Sequence, residues 1–232
     1  MNRSAFRRWI GVELVEVSVL ERLIATLGGG LSMVILLGIS RLALPQASAA
    51  VVVASMGASA VLLFGVPHGP LSQPWPVIAG HAVSAVIGVA CARLIPQPLL
   101  AVAFAVGLSI GAMHLLKCIH PPGGATAFTA VLGGSAIHDL GFGYVLSPVL
   151  LNAVVMVLIA FVINGAFPWR RYPAVLNRAR HVPEPEANRA TPEPSHAEVR
   201  AALNSLDSFV DITEEDLVRL VQWIDSRKSK RS

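Results

Sequence analysis

The residues best suited to chemistry fall in one stretch, Lys117-Cys118-Ile119-His120-Pro121-Pro122-Gly123-Gly124-Ala125-Thr126-Ala127, which interrupts an otherwise apolar chain. Two consecutive prolines cannot lie inside a helix, and the glycines after them leave the backbone unshielded. The helix must stop here and restart, and Gly123 to Leu132 reads as a short apolar helix. The first amides of a helix have no partner within it, so a restart beside Lys117 suits a small anion. Lys117, His120, Gly123, Gly124, Ala125 and Thr126 are therefore the candidate anion-binding residues, with N–H groups from 123–125 and the Thr126 hydroxyl as donors. His120 has an ionisable ring that can bind charge or relay a proton. Its plainer role is a hydrogen bond to a carbonyl that the prolines set free.

Gly57 and Ser59 repeat part of this pattern upstream, in Gly57-Ala58-Ser59-Ala60. They are candidate donors to the same anion, against the simpler alternative of close helix packing by small residues. His68 and His81 join His120 as candidates for a proton relay, although histidines placed like His68, His81 and His114 are more often satisfied structural residues than ligands. His114, Cys118 and His120 lie within seven residues, and imidazole with thiolate would suit zinc or copper. The prolines after Ile119 redirect the chain, so no metal site is assigned, and no cofactor. Asp139 is the single carboxylate between Leu23 and Trp169, which leaves no pair for acid–base hydrolysis. A nucleotide-binding glycine loop is likewise missing, and the chain does not read as an enzyme.

These residues sit in a setting that composition fixes. Of 232 residues, 54% are hydrophobic and 14% charged. Between Leu23 and Trp169 the charged residues are Arg41, Arg93, Lys117 and Asp139. A soluble domain of that size could not cover its surface with so little charge. The class expected is all-α, a polytopic helical membrane bundle. The net charge of +4 reflects basic residues near span ends and gives no sign of nucleic-acid binding. Two cysteines, Cys91 and Cys118, do not suggest a disulfide framework.

Four regions follow. Residues 1–22 read as an interfacial helix, 23–169 as the transmembrane domain, 170–195 as a basic, proline-rich linker, and 196–232 as a short amphipathic helical tail that could dock a protein partner. The spans expected are Leu23–Leu44, Ala49–Phe64, Val77–Ile95, Leu99–Leu116 and Pro148–Phe167, with an uncharged, proline-rich loop between Gly65 and Pro76 that could fold back into the protein. Gly80, Ser84 and Gly88 share one helix face; Gly107, Gly111, His114 and Cys118 share another and are expected to carry polar groups to the break. Such faces permit contact within one subunit or in a homo-oligomer. Trp169, Arg170, Arg171 and Tyr172 read as an aromatic and basic anchor, which with Arg178 and Arg180 puts the C-terminus in the cytoplasm.

Gly57-Ala58-Ser59-Ala60 answers Gly124-Ala125-Thr126-Ala127, Gly30-Leu31-Ser32 answers Gly107-Leu108-Ser109, and Pro76 and Pro148 open the spans that follow. Two repeats of long helix, broken element and long helix would follow the plan of small-solute transporters. Whether the broken elements cross fully decides between six crossings and five.

Lys117-x-x-His120-Pro121-Pro122-Gly123-Gly124-Ala125-Thr126 resembles the signature of the HPP integral membrane proteins, with support from Gly57 to Ala60, Pro70 to Pro74 and Gly80-His81. The resemblance covers about 23–169. Plastid and cyanobacterial members are associated with nitrite transport, so it implies a transporter or channel in a lipid bilayer, with a small inorganic anion, nitrite first, as its substrate. A bacterial cytoplasmic (inner) membrane is the expected location. The competing reading is a membrane anchor or assembly module acting through its C-terminal helices.

Overall fold

The computed structural model describes residues 17–177, and among these the regular structure is helical throughout. The body discussed below belongs to the unit spanning 23–180; the terminal segments form a separate unit, of which only residues 17–22 are described. Most of the expected N-terminal interfacial helix, the proline-rich linker and the tail helices therefore lie outside the described residues.

Prolines decide where the helices begin. We number the long elements α1 (Val19–Ala43), α2 (Gln46–Ala60), α3 (Pro74–Leu94), α4 (Pro98–Leu115), α5 (Pro122–Leu132) and α6 (Leu151–Gly165). Three of them start at a proline, whose missing N–H costs nothing in a first turn. At α4 the Gln97 side chain also accepts from the Leu100 N–H at 2.6 Å. α3 ends where Ile95 is forced extended (φ −115°, ψ 104°) by the proline after it.

No proline follows α2 directly, and it continues into a wider helical turn, Val61–Gly65. Wide turns shift the hydrogen-bond register and expose carbonyls. Here Asn164 donates to the Leu63 carbonyl at 3.0 Å, and Arg170 Nη2 donates to the Phe64 carbonyl at 2.6 Å. Arg170 also bonds Asn164 Oδ1 and is fully buried. The expected interfacial anchor is corrected at this position: Arg170 closes the end of α2 from inside the protein.

Among the described residues five helices are long and apolar enough to cross a membrane: Val19–Leu42, Ser48–Gly65, Pro74–Leu94, Pro98–Leu115 and Val145–Gly165. α5 is not one of them. Its 11 residues reach about 16 Å, roughly half the hydrocarbon thickness. The protein is an integral membrane protein with five candidate spans and one half-length helix packed among them.

α5 is wedged most tightly against α3. A Cβ added to Gly88 would stand 2.7 Å from Ala130 Cβ and 2.8 Å from the Ala127 carbonyl, and one on Gly123 would stand 2.7 Å from Ser84 Oγ and 3.0 Å from the Gly80 carbonyl. Gly80 in turn abuts His120 Cβ and the Cys118 carbonyl. The Gly80, Ser84, Gly88 face thus does what its spacing predicts, letting two backbones meet. The face expected on α4 does not. Gly107, Gly111 and His114 are exposed, and α4 instead buries Ala101, Ala105, Ser109 and Met113.

Candidate functional site

The polar centre lies where α2, α3 and the start of α5 meet. α4 stops through a paired C-terminal motif: Lys117 N–H bonds the His114 carbonyl, Cys118 N–H bonds the Met113 carbonyl, and Lys117 takes a left-handed φ of 53°. Glycine is the usual occupant of such a position. This reversal carries Cys118 and His120 inward, where both are fully buried, and leaves the Lys117 side chain exposed.

His120 is then fixed at both nitrogens. Nδ1 bonds the Leu71 carbonyl at 2.9 Å, and Nε2 lies 2.8 Å from Ser59 Oγ. The same Ser59 oxygen is 2.9 Å from His81 Nε2, and His81 Nδ1 is 2.7 Å from Thr126 Oγ1. Ser59, His81, His120 and Thr126 all have zero exposure. Beyond Thr126, Ser55 Oγ lies at 3.3 Å, and the Tyr144 hydroxyl donates to the Thr126 carbonyl at 3.2 Å. The imidazoles meet edge to face with centroids 4.9 Å apart. Two positive rings at that separation would repel by about 3 kcal/mol at an effective dielectric near 20. The pair therefore takes one added proton far more readily than two.

Of the residues singled out in the sequence, the fold brings Ser59, His81, His120 and Thr126 together. It does not gather the rest. Lys117 is exposed, and Ala125 faces outward. Gly57 borders a shallow groove with Gly29, Gly30 and Met33 of α1. Gly123 is packed on α3, and a Cβ added to Gly124 would meet Val106 Cγ1 at 3.9 Å. The expectation of bare amides is corrected: Gly123 N–H bonds the His120 carbonyl at 2.9 Å and Gly124 N–H bonds the Pro121 carbonyl at 3.0 Å. His68 lies in the loop beside Arg170 and Arg171, where burial lowers its pKa, a hydrogen bond with the Arg171 backbone raises it, and the Arg170 charge lowers it. Among the described residues no three His, Cys, Asp or Glu side chains converge as metal ligands.

Three participants escaped the sequence reading. Ser55 stands one helical turn before Ser59 and could have been found by that spacing. The Leu71 carbonyl arrives because the uncharged loop does fold back, held by Ser72 Oγ on the Leu62 carbonyl and by Tyr172 on the Ser72 carbonyl. Tyr144 gave no signal.

Residues 15–173 match the family described as HPP, transmembrane region. Two transmembrane proteins of Dictyostelium discoideum are similar: one is 43% identical over 123 residues, covering 51% of this chain and 39% of its own length. The other is 42% identical over 127 residues, covering 53% and 44%. The matched region thus spans less than half of either relative. No solved structure matches. With the match running through all five candidate spans and the histidine-bearing break between them, the chain belongs to the HPP family of integral membrane proteins.

Proposed function

We propose that this protein is a transporter or channel for a small inorganic anion, nitrite the leading candidate, and that its selective centre is the Ser59, His81, His120, Thr126 cluster. One observation carries the reading: a half-length helix begins at a Pro-Pro break within the bundle, and four fully buried polar side chains converge at its base. Polar groups at membrane depth are costly and mostly serve function. Half-helices of this kind mark solute sites in transporters.

With the Gly123 and Gly124 amides engaged, the donors to an anion are the hydroxyls and ring N–H groups, and exposed Lys117 raises the anion concentration at the mouth. The cluster is closed in this conformation, so passage requires α5 to shift against α3. We read five crossings, with the C-terminus in the cytoplasm of a bacterial inner membrane and residue 19 outside; Arg171, Arg178 and Arg180 after the last candidate span support that orientation.

The test is flux in proteoliposomes. Nitrite entry should exceed that of empty vesicles, and His120→Ala should abolish the excess. Lys117→Gly and Lys117→Ala should both slow entry, because the charge is lost in each while only glycine suits the left-handed backbone. Flux no greater than in empty vesicles, or unchanged in His120→Ala, sinks the proposal.

A further inference from the structure

The hydrogen bonds at the centre have a direction that the chemistry of the groups dictates. A carbonyl can only accept, so His120 Nδ1 carries the proton that bonds Leu71. In the neutral ring Nε2 is then an acceptor, and Ser59 donates to it. A serine hydroxyl has one proton, so the same oxygen must accept from His81 Nε2–H. His81 Nδ1 is left as the acceptor, and Thr126 donates to it. Ser55 Oγ, which donates to the Val52 carbonyl at 2.9 Å, offers Thr126 a second acceptor. The result is one polarised series: Thr126 to His81 to Ser59 to His120 to Leu71.

We infer that His81, Ser59 and His120 form a one-proton relay whose charged state holds the anion, so that the protein moves one proton together with one monovalent anion of a weak acid. The anion half rests on the function proposed above; the relay half rests on geometry alone. A proton from water enters when the Thr126 hydroxyl turns to Ser55, freeing the His81 Nδ1 lone pair, and an N–H bond forms there. The His81 Nε2–H bond then breaks as a new O–H bond forms on Ser59, while Ser59 passes its own proton to His120 Nε2. One N–H and one O–H bond break, one of each forms, and a single positive charge moves from one ring to the other.

The surroundings suit this. On the rings themselves lie Ser59 from α2, Thr126 from α5 and the Leu71 carbonyl. Ser55 from α2 and the Tyr144 phenol bond Thr126, Ser84 from α3 and Met113 from α4 pair beside Gly123 and Gly80, and the Cys118 thiol is buried two residues before His120. Among the described residues neither ring is bonded to a carboxylate, lysine or arginine. The added proton is thus left with its charge available to an anion. The proton leaves when the bond to the Leu71 carbonyl opens and the His120 Nδ1–H bond breaks to water, since the carbonyl can accept a hydrogen bond but cannot carry the proton onward.

The experiment uses the full chain in proteoliposomes with a lumenal pH dye, a nitrite pulse and clamped voltage. Nitrite entry should acidify the lumen by one proton per anion and ignore membrane potential. Ser59→Ala should slow this coupled entry roughly 100-fold, and Ser59→Thr should restore it. Entry that exceeds empty vesicles but follows voltage without acidification overturns the inference.

If no flux exceeds that of empty vesicles, the anion reading fails and the relay is decided separately by nitrogen-15 histidine spectra of the unmutated protein in bilayers. Those should show Nε2–H on His81 and Nδ1–H on His120 near neutral pH, and uptake of one proton by the pair on acidification. The same tautomer on both rings, or no shared uptake, overturns the relay.

Discussion

Two copies of one short pattern behave alike inside very different helices. Gly57-Ala58-Ser59-Ala60 lies late in α2, which runs on into a full-length span; Gly124-Ala125-Thr126-Ala127 lies at the start of α5, which reaches only halfway. In both, the glycine is half-buried, the first alanine exposed, and the hydroxyl residue and second alanine buried. Both hydroxyls bond the same ring, Ser59 on His81 Nε2 and Thr126 on His81 Nδ1. The difference lies upstream, where only the second copy follows Pro-Pro. Local pattern sets which way the side chains face, while the prolines fix where α5 begins and Gly133-Gly134 mark where it ends.

Breaking this likeness should hurt in a definite order. Ser59→Ala strips a partner from both imidazoles and should destabilise the protein by on the order of 3 kcal/mol, read from thermal unfolding in detergent. Gly88→Ala, which drives a methyl into Ala130 and the Ala127 carbonyl, should cost about 2 kcal/mol in the same assay. Thr126→Ala deprives a single ring nitrogen and should cost about 1 kcal/mol. If its cost equalled that of Ser59→Ala, the two hydroxyls would not differ as the bonding requires. Gly57→Ala and Gly124→Ala meet nothing closer than Met33 at 3.7 Å and Val106 at 3.9 Å, and each should lie within about 0.5 kcal/mol of wild type.

Much of this was legible beforehand. Composition gave the membrane class, the prolines marked the starts of α3, α4 and α5, and the Gly80, Ser84, Gly88 spacing named the face that α5 packs against. Small-residue spacing failed on α4 because it says where a backbone could approach, not which of two such faces a neighbour takes; Ala101, Ala105 and Ser109 were as small as Gly107 and Gly111. The expected bare amides failed because a tight turn at 120–124 bonds them to the carbonyls just before. Arg170 was misplaced because its nearest sequence neighbours are aromatic, whereas it bonds the Phe64 carbonyl 106 residues upstream together with the buried Asn164 side chain. The meeting of Ser59, His81, His120 and Thr126 needed three-dimensional packing, although each had been singled out for its chemistry.

The loop that supplies the Leu71 carbonyl, and the helical turn before it, are stitched to the segment that follows the last candidate span, by Tyr172 on Ser72, Arg170 on Phe64, and the Ala174 N–H on Gln73. During synthesis those fasteners are made only after every candidate span. A nascent chain therefore cannot tie this loop before its last span has been made, and the cluster can be locked only once translation has passed the final helix.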